Sequence, residues 1–286
     1  MNPSKYDLAV AYRIYPKVSS HLPPIFNTDK YKLAELCLKS FKKSLTGLKV
    51  KMWVLLDNCP PAYEKLFTDL WPAEDLILVR FPGVGDATTF RNQVKILMEQ
   101  TDAETVYLAE DDYFYLPDQF HLAVNFLKQN PEAHFISPYD HPDIHNTELH
   151  RLQPRTKMFD GLRWNSCCST THTFLTKRTT LAECQGVFLA NYGGISPDLA
   201  KWLALTKKRV FNPCVFAKWA FTNRFWAGSI FYAWYFCWRQ ILFGNRYTLW
   251  IPQPSMANHM VAGMEAAGID WKNAFEGKAV KFQSCN

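Results

Sequence analysis

The sequence predicts an α/β fold in which helices flank a mostly parallel sheet. Short apolar runs typical of strands alternate with longer segments of helical periodicity up to residue 110. The chain has 286 residues, of which 48% are hydrophobic and 15% aromatic. This composition fits a folded protein with a sizeable core and excludes a chain that is disordered over most of its length.

The first half of the chain supplies the alternating elements. The run that would form the second strand is ended by the breaker "NCPP", and apolar residues in the first predicted helix recur at the spacing of one helical face. In a parallel sheet, ligands bind at the carboxyl ends of the strands, so the site is expected at that edge. The predicted elements are strands at 7–15, 50–58 and 76–81, helices at 29–45, 62–70 and 87–101, and a fourth strand from about 106.

The elements after the fourth strand are predicted from caps and β-branched runs. A helix opened by Pro117 and Asp118 is expected to lead to a strand within "AHFISPYDHPD". The run "STTHTFLT" at 169–176 predicts a further strand. A helix is expected at 196–205, with Ser196 as its N-cap and Pro197 at its first helical position.

The segment 216–243 differs in kind from the rest of the chain. Between Arg224 and Arg239 lie 14 residues without a formal charge, apolar on every side of a helix. That is shorter than the roughly 20 apolar residues that span a bilayer. Two interpretations stay open. One is a buried helix of the core or of an oligomer contact, which would allow a homodimer; the other is an interfacial helix in peripheral membrane contact, supported by Trp and Tyr enrichment and by flanking cations.

Charge and cysteine usage limit the partners and the compartment. Lys and Arg outnumber Asp and Glu by 32 to 26, a mild preference for anionic partners such as nucleotides or acidic membranes. No basic stripe interleaved with aromatics is present, so a nucleic-acid partner is not expected. Eight scattered cysteines without a C-x-x-C pair indicate a reduced compartment. The start of the chain lacks a signal-peptide pattern, so we expect a cytoplasmic location; the membrane interpretation of 216–243 would add peripheral contact at the inner face of the membrane.

Three consecutive carboxylates follow the fourth predicted strand in "VYLAEDDYFYLP". Glu110, Asp111 and Asp112 repel one another and stay ionised together only where positive charge lies among them. Mg²⁺ and Mn²⁺ prefer carboxylate oxygens and keep coordination positions open for substrate phosphates. The triplet therefore predicts a metal site that a diphosphate completes, and a surface acidic turn is the alternative.

Five blocks in one order carry a resemblance to a known family. They are "YLAEDDYFYLP", "SPYDHPD", "WNSCCSTTHTF", "SPDLAKW" and "PSMANHM", which lie between residues 107 and 260, and the resemblance covers roughly residues 7–265. This order resembles the bacterial nucleotide-sugar glycosyltransferases of GT-A fold, in a family 2-like form. The resemblance implies metal-dependent transfer of a sugar from a nucleotide-diphosphate donor, by family habit a UDP-sugar, to a hydroxyl of a glycan or lipid-linked acceptor, with inversion.

The resemblance also implies a metal site with Mn²⁺ or Mg²⁺. Asp112 matches the family's metal-binding aspartate, and Asp111 and Glu110 would lie near the sugar and ribose of the donor. His259 matches the late histidine that completes the metal site. The family's T-H-G is replaced here by "NHM", and an ordinary buried histidine is the alternative.

The catalytic base and the donor site are assigned in the same way. Asp198 falls where inverting members keep the base that takes the proton of the acceptor hydroxyl; the alternative is a carboxylate that only complements the helix dipole. Asp140 and Asp143 of "YDHPD" are rival bases. Residues at strand ends and on the third predicted helix are expected to contact the base, ribose or phosphates of the donor: Tyr12, Arg13, Tyr15, Asp57, Arg91 and Asn92.

The expected organisation is a catalytic domain at 1–210 and an aromatic C-terminal segment at 211–286 that completes the active site. Within the catalytic domain, residues 1–120 would bind the donor and residues 121–210 the acceptor. Two other functions stay open. A sugar nucleotidyltransferase would need a glycine-rich loop where this chain has "AYRIYPKVSS". A non-enzymatic membrane-surface or glycan-binding protein would use the acidic loop to bind metal.

Overall fold

The computed structural model describes residues 4–18, 22–151, 153–193 and 197–278, which form an α/β fold. A one-turn 3₁₀ helix, Ala73–Asp75, precedes the third strand. The strands are β1 (Leu8–Ile14), β2 (Val50–Asp57), β3 (Leu76–Phe81), β4 (Thr105–Glu110), β5 (Tyr113–Tyr115), β6 (Phe135–Ile136), β7 (Thr156–Phe159), β8 (Leu162–Cys167), β9 (Phe174–Lys177), β10 (Leu249–Gln253) and β11 (Ala257–His259).

Helices connect most of these strands. They are α1 (Lys30–Ser44), α2 (Ala62–Thr68), α3 (Asp86–Glu99), α4 (Phe120–Gln129), α5 (Asp143–Asn146), α6 (Arg178–Glu183), α7 (Gln185–Phe188), α8 (Asp198–Thr206), α9 (Pro213–Thr222), α10 (Arg224–Phe243) and α11 (Trp271–Phe275).

Nine strands of the described chain form one sheet in the order β3-β2-β1-β4-β9-β6-β10-β8-β7. Strands β3, β2, β1 and β4 pair in parallel, whereas β9 and β8 run opposite to the other seven. Strands β5 and β11 form a small antiparallel sheet beside the main one. The predicted α/β fold with a mostly parallel sheet and flanking helices is confirmed.

The core lies on both faces of the sheet. Strand β1 is buried along nearly its whole length, as expected of a central parallel strand covered on both sides. Helices α1, α2 and α4 cover one face, and α3, α6, α7, α8 and α10 cover the other. Helix α1 begins where the Asp29 side chain accepts the amide N–H of Lys32 at 3.0 Å. The strand and helix predictions up to residue 110 agree with these elements.

Three element predictions need correction. The strand expected at 169–176 begins only at Phe174. Residues 169–173 form a loop, and the hydroxyls of its Thr170 and Thr173 donate hydrogen bonds to other segments of the chain. The helix expected to open at Pro117 begins at Phe120, since Asp118 adopts a left-handed φ of 56°. Helix α8 begins at Asp198, so Pro197 is the residue before the helix; Ser196 lies outside the described residues.

The segment 216–243 forms parts of two helices. They meet at Asn223, whose side chain accepts the amide N–H of Trp226 at 3.1 Å and so starts α10. The residues of α10 that face the protein are small or aliphatic and pack beside α8: Ala227, Ile230, Ala233, Cys237 and Ile241. The interpretation as a core helix is therefore confirmed for one face of α10.

Residues after α10 return to the sheets. Strand β10 lies between β6 and β8, and β11 pairs with β5, so that His259 stands opposite Tyr113. The C-terminal segment thus contributes to both sheets, while the boundary at residue 210 stays a prediction. None of the helices in the described ranges combines the length and apolarity needed to cross a membrane.

Candidate active site

A cleft of about 440 Å³ opens at the carboxyl ends of β1, β2 and β4. The side chain of Gln93 joins β1 to β4 beneath it, because its amide donates to the carbonyls of Ala11 and Ala109 at 2.8 and 2.9 Å. The residues that line the cleft are Arg13, Ile14, Tyr15, Lys17, Val18, Lys30, Asp57, Gly83, Gly85, Asp86, Thr89, Glu110, Asp111 and Asp112. Acidic and basic side chains thus converge at the edge that the sheet topology favours for ligands.

Arg13 holds the first acid of the triplet. Its guanidinium makes close ion pairs with Glu110 and Asp86. The hydroxyl of Thr173 donates to the other oxygen of Glu110 at 2.6 Å. Burial disfavours the charge of Arg13, but the two carboxylates outweigh it and raise the pKa of the guanidinium above its ordinary value. Glu110 is therefore fixed in place on both of its oxygens.

Lys30, at the start of α1, holds the second acid. Its ammonium lies 2.9 Å from Asp111, and the backbone N–H of Tyr15 donates to the same carboxylate at 3.2 Å. Burial raises the pKa of Asp111, and Lys30 opposes that shift. Lys30 is itself buried, and the nearby carboxylates outweigh its desolvation and raise its pKa.

His259 holds the third acid. Its Nε2 lies 3.3 Å from Asp112 Oδ2, and its ring stacks on Tyr113 at 4.7 Å. Burial acts to raise the pKa of Asp112, but the charge and hydrogen bond of His259 outweigh it and keep that pKa well below its usual range. The same contact raises the pKa of His259 against the effect of its own burial.

The three neighbouring acids therefore each have a different cationic partner. Arg13 and Lys30 offset the charge of Glu110 and Asp111, and His259 offsets that of Asp112 when protonated, so the charge of the triplet does not by itself require a metal ion. A different observation favours a cation. Asp112 Oδ1 is buried and has no hydrogen-bond partner among the described residues. A buried acceptor without a partner costs about 1–3 kcal/mol.

The residues present fit a metal ion whose coordination is completed by a bound diphosphate. No group of three or more His, Cys, Asp or Glu side chains within the described ranges is arranged to hold an ion. Asp112 would supply a carboxylate oxygen and His259, on losing its proton, a ring nitrogen. Mg²⁺ and Mn²⁺ are commonly held by one or two carboxylates together with waters and substrate phosphates, so two protein ligands are enough. The residues therefore suit a site in which the protein and a diphosphate together coordinate the ion, and they do not suit a site formed by protein ligands alone.

Asp198 lies beside a second cavity of about 380 Å³. Its Oδ1 is 3.2 Å from His172 Nε2, which lies 2.8 Å from Lys201 Nζ. Desolvation raises the pKa of Asp198 to about 7, Lys201 opposes this shift, and Glu110 adds to it. Burial and Lys201 lower the pKa of His172, and burial lowers that of Lys201 to about 8. The Asp198 side chain, 38% exposed, still reaches the cavity.

Asp140 does not reach either cavity. It is 4% exposed, and its carboxylate lies 2.8 Å from His145 Nε2 and accepts the amide of Gln253 at 3.1 Å. These contacts occupy both carboxylate oxygens, so the assignment of Asp140 as a base needs correction. Its rival Asp143 lines the cavity beside Asp198.

The predicted donor residues separate into three groups. Arg13 and Tyr15 line the cleft, and the Tyr15 ring is 42% exposed. Tyr12 needs correction: the alternation of β1 turns it into the core, where its ring packs edge-on against Phe67. Arg91 and Asn92 lie on α3, outside the residues that line the cleft.

Asp57 shapes the cleft from within. Its carboxylate accepts three backbone N–H groups of the loop after β3, from Gly83, Val84 and Gly85, at 2.8–2.9 Å. Asp57 also lines the cleft, and its contact with base or ribose stays a prediction. Lys30, His172, Lys201 and Thr173 were missed from the sequence. The only available signal was that Lys30 falls in the first turn of a predicted helix.

Comparison with known sequences found no matching family model and no matching curated protein. Solved structures give weak matches. The chain is similar to the mannosyltransferase PcManGT from Pyrobaculum calidifontis, solved with GDP-Man and Mn²⁺, at 15% identity and a TM-score of 0.44, over 71% of this chain and 53% of that one. It therefore spans about half the length of that protein.

Two further matches are a galactosyltransferase and a cytidylyltransferase. The galactosyltransferase LgtC, solved with donor and acceptor sugar analogs, matches at 11% identity and a TM-score of 0.39 over 63% of each chain. A cytidylyltransferase from Leptospira borgpetersenii serovar Hardjo-bovis matches at 9% identity and a TM-score of 0.33 over 62% of each chain. At these identities and scores the likeness assigns no family, substrate or cofactor, and the family 2-like resemblance stays a prediction.

The contacts of Asp57 predict a stability effect. Asp57→Ala leaves three loop N–H groups without their acceptor, so we expect the free energy of unfolding to fall by about 1–3 kcal/mol in urea denaturation. Asp69→Ala is the control, because the Asp69 side chain is 56% exposed and pairs only with Lys65. We expect that change to stay within about 0.5 kcal/mol. Equal stabilities of the two variants would contradict the loop role of Asp57.

Proposed function

We propose that the protein is a metal-dependent glycosyltransferase. It moves a sugar from a nucleotide-diphosphate donor, a UDP-sugar by the family resemblance, to a hydroxyl acceptor with inversion. The observation that carries the proposal is Asp112, which lines a cleft at the carboxyl ends of the parallel strands, has a buried Oδ1 without a partner among the described residues, and lies 3.3 Å from His259.

The donor would bind in the cleft of about 440 Å³. Asp112 and His259 would hold Mn²⁺ or Mg²⁺, which when bound offsets charge on the leaving diphosphate. Lys17, Lys30 and Arg13 add positive charge around the same space, and the exposed ring of Tyr15 suits stacking on a base. Glu110 and Asp111 line the cleft, and their ion pairs with Arg13 and Lys30 hold them in place. Their carboxylates suit hydrogen bonds to sugar and ribose hydroxyls.

Asp198 is the proposed general base. As the acceptor oxygen attacks the anomeric carbon, its proton passes to the Asp198 carboxylate and the bond from that carbon to the diphosphate breaks. A base with a pKa of about 7 is ionised near neutral pH and still accepts a proton readily. His172 lies 3.2 Å from the carboxylate and positions it, and the charge of Lys201, 2.8 Å from His172, favours its ionised form.

A donor screen tests the proposal. Nucleotide sugars with Mn²⁺ are incubated with candidate acceptors, released nucleoside diphosphate is measured, and thermal shift reports donor binding. We expect Asp112→Asn to abolish the stabilisation by nucleotide with Mn²⁺. Asp198→Asn is expected to keep that stabilisation while transfer falls about 10²–10⁴-fold, because only the proton acceptor is lost.

The control for both variants is Asp118→Asn, an exposed carboxylate after β5 whose left-handed backbone Asn also tolerates. Undiminished transfer by Asp198→Asn would contradict its role and move the base to Asp143. Release of pyrophosphate from a nucleoside triphosphate and a sugar phosphate would instead identify a nucleotidyltransferase. Metal binding without any response to nucleotides would favour a non-enzymatic glycan-binding protein.

The pKa of Asp198 predicts the pH dependence of transfer. The base works only when ionised, so kcat/KM should rise about tenfold per pH unit below pH 7 and level off above it. The measurement is a pH profile with saturating Mn²⁺. The residual activity of Asp198→Asn should lack this rise. A wild-type profile that stays flat between pH 5 and pH 7 would show that Asp198 does not carry the proton.

A further inference from the structure

Large apolar side chains cover the outer surface of α9 and α10. In α10 they include Phe231 and Tyr235 before the non-helical residue Cys237 and Trp238, Leu242 and Phe243 after it, and each of these side chains is at least 45% exposed. Phe221 is 92% exposed and Phe243 79%. We call this surface the aromatic face; it consists of Phe221, Phe225, Phe231, Tyr235, Trp238, Leu242 and Phe243.

The arrangement of α10 is the reverse of an ordinary surface helix. Its buried side carries small or aliphatic residues such as Ala227, Ala233 and Ile241, while the large rings point outward. Close packing against α8 accounts for the small residues. It does not account for the rings, because exposed apolar area costs about 25 cal/mol per Å² relative to burial. A contiguous exposed surface of this kind marks an interaction site.

The stretch of chain that carries the aromatic face is basic, and an acid from another segment, Glu148, pairs with its Lys218 at 2.7 Å. From Leu199 to Met264 the chain contains no Asp or Glu. The same stretch contains Lys201, Lys207, Lys208, Arg209, Lys218, Arg224, Arg239 and Arg246. The whole chain has only six more Lys and Arg than Asp and Glu, so its positive excess is concentrated here. Arg224, Arg239 and Arg246 are exposed beside the aromatic face.

We propose that the aromatic face docks α9 and α10 into the headgroup layer of an anionic membrane. Large rings beside exposed Arg side chains are what an interfacial helix presents to lipid. A second copy of this chain fits less well. A two-fold contact through the same surface would bring Arg224 and Arg239 toward their own copies, with no acidic residue of this stretch to pair with them.

Docking would place the catalytic cavity at the membrane surface. Phe225, Trp226 and Ser229 of α10 line the cavity that contains Asp198. The other lining residues are mixed and include the polar side chains of His141, Asp143, Thr147 and Thr171. Resting on the proposed function, this geometry indicates an acceptor whose saccharide enters the cavity while its lipid stays in the bilayer.

Vesicle flotation with the full chain tests the docking. One set of vesicles is phosphatidylcholine alone, and the other also contains phosphatidylglycerol. We expect flotation with the anionic vesicles at low salt, little with the neutral ones, and release as salt is raised. Phe231→Ser/Tyr235→Ser/Phe243→Ser should weaken binding at least tenfold. Each of Arg224→Gln and Arg239→Gln should weaken it about fivefold, the effect of one cation near an anionic surface.

The matched control is Met158→Ser, which removes an equally exposed apolar side chain from β7, away from the aromatic face. It should float like the wild type. Failure of the wild type to float at low salt would overturn the proposal. Unchanged flotation of the Arg variants would also overturn it, and these variants keep every apolar side chain of the aromatic face. A dimer that the triple Ser variant converts to monomer would assign the face to a second copy instead.

Flotation requires neither donor nor acceptor, so its outcome is independent of the proposed transferase activity. Membrane binding without nucleotide-dependent stabilisation would leave the docking intact and contradict the transferase. If both hold, the triple Ser variant should raise KM for a vesicle-borne acceptor while release of nucleoside diphosphate with a water-soluble acceptor stays unchanged. An equal loss with both acceptors would contradict the link between the aromatic face and the acceptor.

Discussion

The separation of three adjacent carboxylates onto three different cations is the constraint on which the candidate site depends. Glu110, Asp111 and Asp112 occupy the end of β4 and the two-residue turn into β5, and each side chain turns toward a partner from another part of the chain. Arg13 comes from β1, Lys30 from α1 and His259 from β11. The charges that would disrupt an isolated turn instead join these three elements at one edge of the sheet.

Asp112 and His259 lie 147 positions apart in the sequence, and the chain joins them through the C-terminal strands. Strand β10 enters the middle of the main sheet, and β11 then pairs with β5 directly after the triplet. The stretch between α8 and β10 is α9 and α10. The same return of the chain therefore brings His259 to Asp112 and sets the aromatic face beside the cavity of Asp198.

Local patterns were sufficient for the parallel half of the fold but not for every contact of the site. Continuous apolar runs and helical spacing predicted β1 to β4 and α1 to α3 because each is decided by neighbouring residues. The location of the site at the carboxyl edge of the sheet followed from the predicted topology alone. The burial of Tyr12 in the core was missed because β1 is buried on both sides. Its sequence therefore lacks the alternation of apolar and polar residues that would show which side chains point into the core.

The remaining errors concern contacts between distant segments. Asp57 and Asp140 each looked available at a strand end, yet loop amides hold one, and His145 and Gln253 hold the other. The β-branched run at 169–173 became a loop because its side chains bond to Ser137 and Glu110 rather than to a neighbouring strand. Such pairings depend on the whole fold, which a single sequence does not reveal.

The central claim is that the buried Oδ1 of Asp112 is a metal ligand, and a crystal grown with Mn²⁺ and UDP tests it most directly. We expect an anomalous manganese peak about 2 Å from Asp112 Oδ1, shared with the diphosphate and bordered by His259. A crystal with the nucleotide bound, no manganese peak beside Asp112 and its Oδ1 still unpartnered would contradict the account.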